Sequence, residues 1–174
     1  MKYVLGGIGV LIGVVLLLGI LAPTDLHIER QIEIQKPREE VFAEIKMLRN
    51  HSKWSPWEKK DPNIIKSYSG TDGEVGFVAS WEGNSEVGVG EQEIKAIQEG
   101  SRIDYELRFK KPMEDTSTAY LITEDAAGGG TLVTWGMRGK SPFPFNIVCL
   151  VLNMRKQLAA QFDEGLLGLK ASLE

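Results

Sequence analysis

PFPFNIVCLVLNMRKQLAAQFDEGLLGLKASLE, residues 142–174, decides how the rest of the chain is read. From Asn146 onward no proline interrupts it. Ile147, Leu150, Val151, Met154, Leu158, Phe162, Leu166 and Leu169 recur at helical spacing and share one face. Arg155, Lys156, Asp163, Glu164 and Lys170 fall elsewhere. Pro142 and Pro144 suit the start of a helix and no later position. At about 1.5 Å per residue, one continuous helix is expected to run roughly 40 Å. A one-faced helix of that length needs a broad apolar surface to lie on. Its first part, Phe143–Leu152, is apolar nearly all round. A single sheet cannot cover that part on every side, so the cavity mouth, a bilayer contact or a cover from a Trp54–Trp57 loop is expected there.

The preceding residues supply the surface. Leu26–Gln35 alternates, with Leu26, Ile28, Ile32 and Ile34 on one side and Arg30 interrupting the apolar face. Pro37 begins a short helix with Glu39 and Glu40 in its first turn, where carboxylates suit the helix dipole. Arg49–Pro62 holds two prolines among polar residues and reads as a shaped loop or short helical turn. From Ile64 the period becomes two. Strands are expected near Ile64–Ser69, Gly76–Trp81, Val87–Ile97, Arg102–Phe109, Thr116–Glu124 and Thr131–Arg138, separated by glycine-, asparagine- and proline-bearing turns. Short connections imply an antiparallel meander. Segregated strands with one terminal helix argue an α+β fold: a curved sheet of about seven strands around the long C-terminal helix.

Val4–Ala22 is nineteen residues without a charged or polar side chain. As a helix it would span about 28 Å, near the thickness of a bilayer's hydrocarbon core. Residues 1–24 are therefore expected to be a single-pass anchor and residues 25–174 one domain. A cleaved signal peptide is the competing reading, but the apolar run is long and Ile20-Leu21-Ala22 is a poor cleavage site. The short basic start favours an extracytoplasmic domain. Gly9 and Gly13 form a small-xxx-small pair that would let two spans approach. The oligomeric state stays open.

Composition and motifs exclude several classes of function. A net charge of −4 disfavours nucleic acid. Cys149 is the one cysteine and lies in an apolar run, as a core residue does. His27 and His51 have no spaced partner, so no metal site is expected. No nucleophile elbow, phosphate loop or dinucleotide fingerprint occurs, so no catalytic residue and no cofactor is assigned. The aromatics carry more. Trp54, Trp57, Trp81, Tyr105, Phe109 and Trp135 come from different elements and are expected to converge on one space, with Met137 and Met154 as adaptable lining and Met113 beside them. Gly165 and Gly168 either allow close packing or leave room for a ligand.

Several stretches resemble a known family: Trp54-Ser55-Pro56-Trp57-Glu58 with Asp61-Pro62-Asn63, Trp81-Glu82-Gly83-Asn84, Arg102-Ile103-Asp104-Tyr105-Glu106-Leu107, Gly130–Trp135, and Phe162-Asp163-Glu164-Gly165-Leu166. Together they are similar to the START-like, helix-grip superfamily and, within it, to bacterial SRPBCC proteins of the polyketide cyclase/dehydrase-like group. The resemblance covers about Ile28–Glu174. It implies a cavity between sheet and long helix that takes lipids, sterols, polyketides or other apolar ligands. The expected function is thus a membrane-anchored module binding a hydrophobic small molecule or lipid. An enzyme of cyclase-like or hydrolytic type, and a ligand-free interaction domain, are the alternatives.

Overall fold

A computed structural model describes residues 19–174 together with Gly13 and Val15. The expected anchor at Val4–Ala22, with its Gly9–Gly13 pair, lies largely outside the described residues. Among the described residues no helix is long and apolar enough to cross a membrane.

The period-two stretches all become strands: β1 Asp25–Ile34, β2 Ile65–Ser69, β3 Val78–Glu82, β4 Val89–Gln98, β5 Arg102–Lys111, β6 Asp115–Asp125 and β7 Thr131–Lys140. They form one antiparallel sheet in the order β1-β7-β6-β5-β4-β3-β2. β2 to β7 make the expected meander. β1 closes the far side, paired with β7 from Asp25↔Lys140 to Ile34↔Thr131. Between β1 and β2 the chain forms α1 (Arg38–Lys46), a 3-10 turn (Leu48–Lys53) and α2 (Pro56–Lys60). The inner face of the sheet carries Ile28, Ile34, Ile94, Ile103, Tyr105, Leu121, Val133 and Trp135, all buried. Val41, Phe42 and Ile45 of α1 close over one end of it.

The C-terminal stretch departs from the expectation of one continuous helix. It forms α3 (Phe145–Val151) and α4 (Met154–Leu173), separated at Leu152 and Asn153. Asn153 has φ 50° and ψ 43°, a left-handed conformation that asparagine tolerates better than most residues. The break frees the all-round apolar segment from the sheet. Only α4 lies along it, with Phe162, Leu166 and Leu169 fully buried. The direction of α4 follows β1. The Arg155 guanidinium donates to the Asp25 carbonyl at one end. At the other, Lys170 Nζ donates to the Glu33 carbonyl (2.7 Å) and Glu174 Oε1 accepts from the Gln35 amide (2.7 Å). Arg30, on the inner face of β1, reaches Asp163 of α4 at 3.1 Å; both are half-exposed, so the pair adds little net stability.

The Trp54–Trp57 loop does not cover the start of the C-terminal stretch. It lies on the second half of α4, where the helix presents two glycines. A Cβ on Gly165 would stand 2.6 Å from the Trp135 ring and 3.2 Å from Pro56; one on Gly168 would stand 2.9 Å from the Trp54 carbonyl oxygen. These glycines therefore serve close packing and leave no room for a ligand. Gly168→Leu must displace backbone, and we expect it to lower stability by about 1–3 kcal/mol in thermal or urea unfolding. Gly128→Ala adds a methyl that meets nothing within 4 Å and should stay within about 0.5 kcal/mol of wild type.

Candidate functional site

Burial of the inner face falls off toward one end, though not uniformly: Ile28, Ser117 and Met137 stay buried there, and Ile32 and Ile97 are only partly buried at the other. At the end covered by α1, Ile34, Val133, Leu121, Ile103, Ile94 and Leu169 are sealed. Toward α3 the same strands and helix lead to Leu26, Leu107, Phe109, Trp81 and Leu158, all only partly buried, and to Met154, 45 % exposed. The sheet and α4 therefore form a solid wedge at one end and a half-open groove at the other.

The eight expected lining residues divide between these regions. Trp54, Trp57, Tyr105 and Trp135 belong to the packed end. Trp135 stacks on Phe162 with centroids 4.2 Å apart and planes 11° apart. Trp54 meets Trp135 edge-on at 5.4 Å, Trp57 meets it at 5.8 Å, and Trp57 also meets Phe162 at 6.4 Å. Such edge-to-face pairs suit the ring quadrupole, and their surfaces are used up on one another. Trp81 and Phe109 lie in the half-open groove, edge to face at 5.9 Å. Met137, buried on β7, precedes Gly139 on the same face, and Met154 opens α4 at the groove's α3 end. The residues thus do not converge on one enclosed chamber.

One transverse row shows how the groove is made. Pairing sets Lys66 opposite Trp81, Trp81 opposite Gly90, Gly90 opposite Phe109 and Phe109 opposite Asp115. Gly90 has no side chain, and a Cβ there would stand 2.6 Å from the Trp81 ring. Trp81 leans across that notch to Phe109. Polar groups flank the two aromatics. Lys66 pairs with Glu58, and burial lowers its pKa below the ordinary lysine value. Gln92 is partly buried one inward row further along, opposite Leu107. Ser117 is buried and donates to Asp115 Oδ2 at 2.8 Å. An apolar floor with a few polar groups at its margins is the usual composition of a small-molecule site.

Two small cavities occur nearby, and the first shares Trp81 and Gly90 with this floor. One of about 160 Å³ is on the outer side of β2–β5, near Ser67, Ser80, Glu82 and Lys110. The other, about 130 Å³, lies between Pro23–Leu26 and α3, beside Cys149 and Asn153. Cys149 Sγ sits 3.4 Å from Ser141 Oγ. Among the described residues no group of three metal-ligating side chains occurs.

The buried titratable groups are occupied in holding the frame. Asp61 accepts from the amides of Asn63 (3.1 Å) and Asn84 (2.6 Å), tying the tryptophan loop to the β3–β4 turn. His51 has more structural weight than its isolated place in the sequence suggests. Its Nε2 lies 2.8 Å from the Ile45 carbonyl, in the last turn of α1. A carbonyl only accepts, so Nε2 carries the proton. Tyr105 Oη donates to the same oxygen at 3.4 Å, so two side chains satisfy a helix-end carbonyl that lacks an intrahelical partner. Burial pushes the His51 pKa down to about 4 and the Tyr105 pKa up. Leu48, His51 and Trp54 recur every three residues. That is the repeat of a 3-10 turn, and it is the sequence signal that His51 faces inward. His27, in contrast, lies on the outer face, 3.2 Å from Tyr120 Oη, which donates to Glu29 Oε2 at 2.5 Å.

Comparison with known proteins defines the class. The family described as polyketide cyclase/dehydrase and lipid transport matches residues 25–174, and the chain belongs to it. No curated protein matches the sequence. Solved structures share the fold at low identity. Protein CV1439 from Chromobacterium violaceum is 15 % identical, with 85 % of this chain and 96 % of that chain covered and a TM-score of 0.59. An uncharacterised protein from Rhizobium leguminosarum is 14 % identical, with 86 % and 94 % covered and a TM-score of 0.59. Ginseng major latex-like protein 151 from Panax ginseng is 16 % identical, with 87 % and 99 % covered and a TM-score of 0.55.

The His51 environment has a pH consequence. Its folded pKa, about 4, lies below its unfolded value near 6.5, so the unfolded chain binds the extra proton first. The stability His51 contributes is full above about pH 6.5 and is lost as pH falls toward about 4, on the order of 3 kcal/mol in all. Urea midpoints followed across that range should fall with pH in the wild type. His51→Leu should lower stability at neutral pH yet flatten the slope above about pH 4.5.

Proposed function

We propose that the chain is a binding module for a hydrophobic small molecule or lipid, tethered to a membrane through residues 4–22. The ligand lies in the half-open end of the groove against Trp81, Phe109, Leu107 and Met137, with Met154 and Leu158 of α4 on the opposite side. The observation that carries this reading is the gradient of burial along the sheet and α4. The packed end makes the frame rigid, and the other end leaves large apolar side chains partly uncovered around a glycine notch. An apolar ligand covering them would gain roughly 25 cal/mol per Å² removed from water. Gln92 and the Lys66–Glu58 pair stand where a polar head would be oriented. Family membership, with its description of lipid transport, supports the same class of ligand. A tether would hold the groove near molecules dissolved in the bilayer.

The dense packing of Trp54, Trp57, Trp135 and Phe162 is the observation that favours the ligand-free alternative. Native mass spectrometry of the full-length chain, extracted with membrane lipid, separates the two. The binding reading expects a retained lipid or small apolar molecule. Trp81→Ala should strip it while costing no more than about 1–2 kcal/mol of stability, since Trp81 is only partly buried. Trp135→Ala should cost about 3–5 kcal/mol, because it empties the packed end. Nothing retained by the wild-type chain, and no thermal shift with fatty acids or sterols, would favour the ligand-free role.

A further inference from the structure

We propose that α3 and its flanks, Phe143–Met154, form a surface that dips into an anionic lipid bilayer beside the point where the N-terminal apolar run leaves it. Three independent observations lead there.

The first is exposure. Phe143, Phe145, Val148, Leu150, Val151, Leu152 and Met154 all show apolar side chains to solvent, and Val151 is 74 % exposed. They form one contiguous stretch that the break at Asn153 has turned off the sheet. Scattered exposed apolar residues are ordinary; a contiguous set of this kind marks a contact surface.

The second is continuity with the N-terminal run, which identifies the occupant. Asn146 is buried on α3, and its Nδ2 donates to the carbonyls of Gly19 (2.7 Å) and Ala22 (3.2 Å). Those carbonyls end the helical turn at Gly19–Leu21 and would otherwise lack partners. A Cβ on Gly19 would stand 2.6 Å from the Phe143 ring and 3.0 Å from Ile147. The end of a nineteen-residue apolar run is therefore fastened directly to α3. Ile20 and Leu21 are exposed beside it and extend the same apolar surface. A bilayer that receives residues 4–22 has its headgroup region at α3.

The third is charge. The chain is net negative, yet between Asp125 and Asp163 it carries no carboxylate side chain and four cations, Arg138, Lys140, Arg155 and Lys156. Lys140, Arg155 and Lys156 are exposed and bracket the apolar stretch on both sides. Asp25 faces Lys140 in the β1–β7 register, and Asp115 opens β6 at the same end of the sheet. Apolar side chains flanked by cations are the pattern of a segment that lies about 5–10 Å into the headgroup and acyl boundary, with its basic residues on lipid phosphates. The proposal does not require a ligand in the groove. Where both hold, the half-open end faces the membrane.

The test uses the full-length chain in vesicles of phosphatidylcholine with and without phosphatidylglycerol. In a Cys149→Ser background, a spin label is placed by Val151→Cys on α3 or by Leu167→Cys on the exposed side of α4. Accessibility to oxygen, which concentrates in lipid, is compared with accessibility to a water-soluble nickel chelate. The proposal expects a severalfold higher oxygen-to-nickel ratio at position 151 than at 167, rising further with phosphatidylglycerol. It expects that extra rise to disappear in Lys140→Glu/Arg155→Glu/Lys156→Glu. Equal ratios at the two positions would overturn it. So would a label at 151 shielded from both reagents, the sign of cover by protein, whether residues 4–22 or a second copy. A ratio indifferent to phosphatidylglycerol would overturn the anionic-lipid part. Matching circular dichroism and melting curves confirm that the labelled variants are folded.

Discussion

Trp135 lying flat on Phe162 is the contact on which the rest of the structure depends. It joins the middle of β7, the strand next to the edge strand β1, to the middle of α4. Trp54 and Trp57 then close on Trp135 from the loop, and Gly165 and Gly168 let that loop approach the helix backbone. Without the stack, α4 rests on Leu166, Leu169 and its bonds to β1 alone, and the loop loses its aromatic seat. Because the contact consumes the aromatic surfaces at one end, whatever apolar surface stays uncovered lies toward the other. The groove is a consequence of how the core is packed.

The architecture was legible in the sequence because its signal is periodic. Alternation in Ile103, Tyr105, Leu107 and Phe109 announces both the strand and the side that faces inward. Turn residues mark the strand ends to within two positions. The C-terminal helix was legible as a helix but not as two. The break depends on one left-handed residue, and Asn153 has a helical spacing of apolar neighbours on both sides that conceals it. Asn146 likewise reads as a polar residue at a helix start, while its bonds reach 127 and 124 positions back along the chain.

The aromatic set was legible as inward-facing, but not its division into a packed half and an open half. Period two tells which side of a sheet a residue occupies, not how far along the sheet another element covers it. That cover comes from α1 and the tryptophan loop, whose placement is set by long-range bonds such as Asp61 to Asn84 and His51 to Ile45. Trp54 and Trp81 therefore look alike in sequence and differ in role. Two unsatisfied features among the described residues, a partly uncovered groove and an apolar α3, meet at the same end of the sheet. The membrane contact proposed above would account for both.

The central claim, that the α3 end of the groove is where an apolar ligand sits, can be read directly because the chain has four tryptophans and one of them, Trp81, is in the groove. Fluorine NMR of the full-length chain carrying 5-fluorotryptophan, titrated with a long-chain fatty acid in a fixed detergent background, reports each ring separately. The account predicts a saturable shift of the Trp81 resonance while those of Trp54 and Trp135 hold still. A Trp81 resonance that never moves, or Trp54 and Trp135 shifting while Trp81 does not, would contradict it.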